Sequence, residues 1–289
     1  MSRRLMRLGS IEFINSLPVD QGLLKGLVPF RGTIVPGTPA SLNEIILSGG
    51  LEVSPVSVFW YARHQREFLL LPELSISSES GVMSVLLFSR RPLQDLAGER
   101  IAVTSKGRTT PALLEILCRQ RYGFSPQFEV VQNGLHQLGK AQAVLLIGDE
   151  ALQAQRLDSK EGYFVTDLAE EWRAWTGLPV VFAVWAARRA YFEGHADEIQ
   201  EAHAAILESK RWGLTHLDAV IEEAQNRTGL PTSTLKAYFS RLSYDLDAQL
   251  QKGLSLYLEK AVECGLLEEI GPFEFISHKG AYVDTVHSR

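Results

Sequence analysis

The 289-residue chain is 45% hydrophobic and 22% charged, enough apolar material for a substantial core in two domains or one large one. Its 34 acids against 29 bases give a formal net charge of −5, which argues against a nucleic-acid surface and offers an anionic ligand no long-range attraction. Any anion must then be captured by local geometry.

The basic start, MSRRLMRLGSIEFIN, interrupts its apolar residues with Arg7, Gly9 and Glu12 and never forms a signal-peptide core, so it reads as a cytoplasmic start. No stretch reaches the ~18 consecutive apolar residues that a membrane helix needs. Leu5 to Ile14 is expected as a strand ending in Asn15-Ser16-Leu17-Pro18. A short helix from Val19 to Leu27 and a strand from Phe30 to Val35 complete a βαβ unit. Ligands of open α/β sheets bind at the carboxyl edge of the parallel strands, which makes Asn15 and Ser16 candidate site residues; asparagine before a turn is also a common turn former, and both readings stand. Pro39 to Ser48 follows as a helix stopped by Gly49-Gly50, and Leu51 to Val58 as a strand broken by Pro55, with Ser54 and Ser57 flanking the break. Phe68 to Leu71 is a further short apolar run, and the hydroxyl-rich Ser75 to Ser80 reads as a loop.

Val82 to Phe88 is an apolar run with one hydroxyl, Ser84, inside it, and is expected as a buried strand. After a short helical turn, Arg100 to Val103 forms a second strand. Thr104, Ser105, Gly107, Thr109 and Thr110 then lead to Pro111 and a helix with Leu113, Leu114 and Leu117 on one face. A helix N-terminus carries unpaired N–H groups and partial positive charge, so strand, hydroxyl-rich loop and helix together suit an anion, to which Arg108 would add a full charge. In the plainer reading Thr109 or Thr110 caps the helix; the two are compatible, because a capped helix can still hold a carboxylate.

Phe128 to Val131, Ala143 to Ile147 and Phe164 to Thr166 read as strands. Asp149 would face the same edge as Thr104 or cap the short helix from Ala151 to Arg156. Val180 to Ala187, VVFAVWAA, is a second long apolar strand. Its kinship with VMSVLLFS suggests two crossing strands, one taking the chain from a first α/β lobe to a second and the other bringing it back, with lobe 1 at 1–87 and 186–289 and lobe 2 at 88–185. From Arg188 to Gly265 the pattern is helical, and the last helix has Asp247 as its cap and Leu250, Leu254, Tyr257, Leu258 and Ala261 on one face. The histidines at 195, 203 and 216 lie in charged helical stretches and are expected at the surface. Cys118 and Cys264 show no CxxC spacing and no histidine at ligand spacing, so they are expected as two buried thiols.

Several segments carry a resemblance: IEFIN at 11–15, Pro18, LEVSPVS at 51–57, GVMSVLLFSRRPLQDL at 81–96, LLIGDEAL at 145–152, TGLPVVFAVWAAR at 176–188 and YFSRLSYDLDAQLQKGLSLYLEKA at 238–261. In this order, over most of the chain, they resemble the chorismate dehydratases of the futalosine route to menaquinone. The resemblance implies an α/β, two-lobed type II periplasmic-binding-protein-like fold with a ligand cleft between the lobes, working as a cytoplasmic enzyme. The pattern departs at SKGRTTPALL, where the family more usually has an acid and a small polar residue before a Thr-Ser pair; here Lys106 and Arg108 add positive charge and Thr110 stands for the serine.

The reaction implied by the resemblance removes water from chorismate to give 3-[(1-carboxyvinyl)oxy]benzoate, driven by aromatisation and needing no cofactor and no metal. On the same ground Asn15 and Ser84 are the catalytic pair, with Thr109 and Thr110 on a carboxylate. Ser16, Ser57, Ser105, Arg108 and Asp149 complete the expected substrate-binding set. The sequence offers no obvious general base, so a carboxylate of the substrate takes the proton in this reading. The partner is the small-molecule substrate chorismate, with no nucleic acid and no membrane; a homodimer is left open. A sister family on the same fold makes a dihydroxynaphthoate by using a histidine, and the nearest candidate, His136, falls in a loop between expected strands. A non-catalytic protein that binds or senses a small carboxylate is the other alternative, since fold alone does not decide function. The lack of an export signal and of a DNA-binding segment before residue 5 favours the enzyme.

Overall fold

A computed structural model describes residues 5–104, 107–157, 162–277 and 283–284. In chain order the strands are β1 (Met6–Ile11), β2 (Gly32–Gly37), β3 (Val53–Ser57), β4 (Phe68–Ser78), β5 (Val85–Ser89), β6 (Arg100–Thr104), β7 (Gln127–Val131), β8 (Ala143–Ile147), β9 (Phe164–Asp167), β10 (Val180–Arg188), β11 (Glu274–Phe275) and β12 (Val283–Asp284). The helices are α1 (Leu17–Leu24), α2 (Pro39–Leu47), α3 (Val58–Arg63), α4 (Thr109–Ile116), α5 (Asp149–Ala154), α6 (Leu168–Thr176), α7 (Arg189–Thr215), α8 (Leu217–Thr228), α9 (Thr232–Phe239) and α10 (Ala248–Glu263). None of the helices described is long and apolar enough to cross a membrane.

Two sheets share one plan. The first runs β2-β1-β3-β10-β4, extended beyond β4 by β11 and β12, and the second runs β7-β6-β8-β5-β9. In each, a central strand is flanked by two parallel partners, β1 by β2 and β3, β6 by β7 and β8. One further strand then enters antiparallel, β10 in the first sheet and β5 in the second. These are the two apolar runs. β10 packs on both faces, Val180, Val184 and Ala186 into one core and Ala183, Trp185 and Ala187 into the other, which is why it lacks the alternation of a half-exposed strand.

Both β5 and β10 are the first strand after a passage between sheets. The chain leaves the first sheet after Ser78, joins the second at Val85, and returns between Asp167 and Val180. The lobe boundaries expected at 87/88 and 185/186 therefore fall inside β5 and β10.

Four local expectations are corrected. Pro55 does not break β3: it lies opposite Trp185 of β10, and the recorded pairing of β3 with β1 is at Val53, so proline's absent N–H is not required there. Ser75, Ser77 and Ser78 belong to β4 rather than to a loop, because their buried hydroxyls find the carbonyls of Asp245, Ser243 and Arg241. Ser84 precedes β5 instead of lying within a strand. His203 is buried with Nε2 2.9 Å from the Pro72 carbonyl, whereas His195 and His216 are exposed as expected.

Helix α1 crosses α7 closely. A Cβ on Gly213 would stand 2.1 Å from the Pro18 carbonyl oxygen, so only glycine permits this spacing. The crossing anchors the start of α1 and with it the turn carrying Asn15. Cys118 and Cys264 are both buried free thiols, and burial pushes Cys118 up to about 12.

Candidate active site

The carboxyl ends of the strands bring their loops together. β1 runs into a single 3-10 turn, Ile14–Ser16, that presents Asn15; β3 ends at Ser57; the first passage delivers Val82 and Ser84; and β8 ends at Ile147 before Gly148. With the first turn of α4 and with Phe182 and Ala183 of β10, these line a cleft of about 100 Å³. Asn15, Ser57, Ser84, Thr109 and Thr110 all face this cleft, and among the described residues none of its lining side chains is ionisable.

Ser84 is held by its backbone from three directions. Gly148 donates its N–H to the Ser84 carbonyl at 2.8 Å, Gln155 Nε2 donates to the Met83 carbonyl at 3.0 Å, and Asp167 Oδ2 accepts from Val82 and Met83 at 2.8 and 2.7 Å. Met83 has φ +60°, a left-handed conformation that costs a non-glycine residue about 1–3 kcal/mol unless its surroundings fix it. The Ser84 hydroxyl is almost fully buried and accepts a hydrogen bond from Tyr238 Oη at 3.2 Å.

Thr109 is held in the same way. Its Oγ1 accepts the Phe59 N–H at 3.3 Å and its carbonyl accepts Tyr257 Oη at 3.0 Å, which ties the first turn of α4 to α3 and α10. The cap expected of Thr109 or Thr110 is not made, since the N-cap position is Arg108, without a side-chain cap bond. A hydroxyl that already accepts from the protein still has its proton to donate, so Ser84 and Thr109 each offer an O–H to a ligand. Asn15 is the complement: its Oδ1 is buried and has no hydrogen-bond partner among the described residues. An unpaired buried acceptor costs about 1–3 kcal/mol, a cost that a ligand donor in the cleft would remove.

The other candidates lie around the cleft. Ser16 turns its hydroxyl back to the carbonyls of Ile11 (2.8 Å) and Phe13 (3.1 Å) and so shapes the turn instead of lining the cleft. Asp149 opens α5 and accepts the Ile14 N–H at 3.3 Å, joining the end of β8 to the turn that carries Asn15. Arg108 lines a neighbouring hollow of about 210 Å³ with Phe59, Phe128 and Val130, which shares Gly107 with the cleft. Ser105 lies outside the described residues. His136 is exposed and is not part of the cleft lining. A wider surface hollow of about 790 Å³ runs along Ala62–Glu67 and Gly265–Glu274, but it gathers charges of both signs and none of the strand-end hydroxyls.

Three supporting residues escape a reading of the sequence. Gly148 has φ 60° and ψ −141°, a region that glycine alone occupies freely, and the only trace is the glycine in LLIGDEAL. Asp167 leaves the signature of an N-cap before an amphipathic helix, and its Oδ1 does accept the Ala169 N–H. Tyr238 sits in a helix that looks purely structural.

Residues 6–263 match the family model described as menaquinone biosynthesis. The chain belongs to the menaquinone-biosynthesis family. A chorismate dehydratase of Thermus thermophilus is 34% identical over 266 residues, 87% of this chain and 93% of that protein. A 1,4-dihydroxy-6-naphtoate synthase of the same organism is 25% identical over 234 residues, 78% of this chain and 82% of that protein. Among solved structures, the alkanesulfonate-binding protein SsuA of Xanthomonas axonopodis bound to MOPS matches with TM-score 0.69 and 16% identity over 93% of this chain and 96% of that one. Likeness at that level establishes the fold, and this member of the menaquinone-biosynthesis family has the two-lobed fold of periplasmic binding proteins.

Proposed function

We infer that the protein is a chorismate dehydratase that converts chorismate to 3-[(1-carboxyvinyl)oxy]benzoate and water. The observation that carries this reading is the cleft itself: hydroxyl donors at Ser84 and Thr109, an unpartnered amide acceptor at Asn15, and no ionisable side chain among the described lining residues. The similarity to the Thermus thermophilus chorismate dehydratase supports it.

A substrate with two carboxylates and a leaving hydroxyl suits that lining. Thr109 and Thr110 hold a carboxylate. The C4 hydroxyl donates to Asn15 Oδ1 and accepts from the Ser84 O–H. As the C3–H bond breaks, its electrons form the C3–C4 double bond, the C4–O bond breaks, and the ring becomes aromatic. One of the substrate's own carboxylates takes the C3 proton and passes it to the departing C4 oxygen, which leaves as water and restores the carboxylate. Catalysis is then positioning together with donors aimed at the charge that develops on the leaving oxygen.

In this reading each sheet with its helices is a lobe, the passages at 79–84 and 177–179 are the hinge, and the reaction takes place in the cytoplasm on the futalosine route that the family resemblance implies. The naphthoate-forming alternative needs a histidine at the cleft, and the described lining has none. Mixing purified protein with chorismate tests the assignment: an aromatic product appears in absorbance, and a spectrum identical to the no-enzyme control over hours refutes it.

A further inference from the structure

Tyr238 lies in α9, in the helical region beyond the return passage, yet its hydroxyl reaches Ser84 beside the second sheet. The phenol is completely buried, and Phe239, Leu235, Leu230 and Ile221 pack in the same cluster. A phenylalanine would fill that apolar site as well as a tyrosine does, so packing alone gives no reason for the hydroxyl. Among the described residues its one hydrogen bond is the donation to Ser84 Oγ at 3.2 Å.

That bond sets the direction of the serine proton. A serine hydroxyl has one proton and can accept at its oxygen. With the phenol donating from one side, the Ser84 O–H is left to point away from Tyr238, toward the cleft that Ser84 lines. Hydrogen bonds in series polarise one another, so accepting from the phenol also makes Ser84 the stronger donor. The phenol stays protonated and keeps this role: burial, with the Asp149 charge acting in the same sense, raises its pKa far above its ordinary value.

We propose that Tyr238 is a positioning residue for the dehydration, acting through Ser84 by fixing the serine hydroxyl as a donor to the leaving oxygen of the substrate. This rests on the dehydratase reading above and adds to it a residue that does not line the cleft.

The test is Tyr238→Phe, which removes one oxygen from a fully packed site, assayed with chorismate alongside wild type. The expected result is a kcat lower by about tenfold, a KM within about twofold, and a melting temperature close to wild type, since an interaction expressed in the transition state lowers kcat without weakening ground-state binding. Placed in a Ser84→Ala protein, the same change should lower the rate no further, because the two residues act as one unit. An unchanged kcat overturns the proposal. So does an equal further loss in the Ser84→Ala background, or a fall in melting temperature with turnover per folded molecule intact. Wild-type protein that leaves chorismate unchanged instead refutes the dehydratase reading beneath it, an outcome separate from all of these.

Discussion

Asp167 holds Met83 in its left-handed conformation. One carboxylate oxygen accepts the N–H groups of both Met83 (2.7 Å) and Val82 (2.8 Å), and the other accepts the Ala169 N–H at 2.9 Å. Asp167 stands where the chain leaves the second sheet and Met83 where it enters, so one side chain ties the two passages together next to Ser84. Burial raises its carboxyl pKa, and the three N–H groups act in the opposite sense.

All three bonds need an acceptor, and both oxygens are in use. Asp167→Asn supplies one oxygen and turns an NH₂ toward a donor. The expected loss is about 1–3 kcal/mol of stability, the usual cost of a buried group left unpaired, with a proportionate fall in urea midpoint. A midpoint equal to wild type would show that the passages are held by other contacts.

Asp20 gives a pH dependence of stability. It is buried beneath β1, with Ser10 Oγ donating to it at 2.7 Å, Ser16 also near it, and the Arg227 charge opposing the effect of burial; its own charge in turn raises the Tyr244 phenol. Burial pushes its carboxyl from an ordinary 3.8 up to about 7. The folded state therefore keeps a proton that the unfolded state gives up. No cost arises below about pH 4; the cost grows as pH rises from there to about 7 and is complete above it. At about 1.4 kcal/mol for each tenfold change in acidity it reaches roughly 4 kcal/mol. Asp20→Asn should melt several degrees above wild type at pH 8, and the difference should vanish near pH 4. A difference independent of pH would contradict the titration.

Asn15→Ala and Ser84→Ala should each fold and lose on the order of 10²-fold in kcat, with smaller changes in KM, because in the proposed reaction both side chains meet the leaving hydroxyl. Circular dichroism and steady-state kinetics on chorismate check this. Loss of melting temperature with turnover per folded molecule intact would make Ser84 structural.

Gly148→Ala should lower both stability and kcat. Alanine cannot take φ 60° and ψ −141° without strain, its Cβ would stand 3.4 Å from the Phe13 ring, and the N–H it shares with Ser84 would move. A variant with wild-type melting and kcat would show that the strand end tolerates another backbone path.

Much of this architecture was legible in the residues. The two apolar runs marked β5 and β10 because a strand buried on both faces carries no polar alternation, and the residues singled out at the end of β1, beside Pro55 and before the helix at Pro111, namely Asn15, Ser57 and Thr109, line one cleft. Strand β5 begins three residues later than its apolar run suggests, since Val82 and Met83 look like strand, and the Asp167 carboxylate, far away in sequence, binds them as part of a connection. Ser75, Ser77 and Ser78 looked like loop because the carbonyls that satisfy them come from residues 241–245. Ser16 shared the composition of a site residue but turns its hydroxyl back to the Ile11 carbonyl, and Arg108 lines the hollow next to the cleft, differences of local backbone that periodicity does not encode.

The central claim is dehydration of chorismate in this cleft by Ser84 and Asn15 without a protein base among the described lining residues. Proton NMR of chorismate incubated with wild-type protein and, in parallel, with Ser84→Ala tests it most directly. The account predicts loss of the C3 and C4 ring signals with matching growth of four aromatic protons in the wild-type sample, and progress about a hundredfold slower with Ser84→Ala. Unchanged chorismate signals with wild-type protein, or equal rates in the two samples, would contradict it.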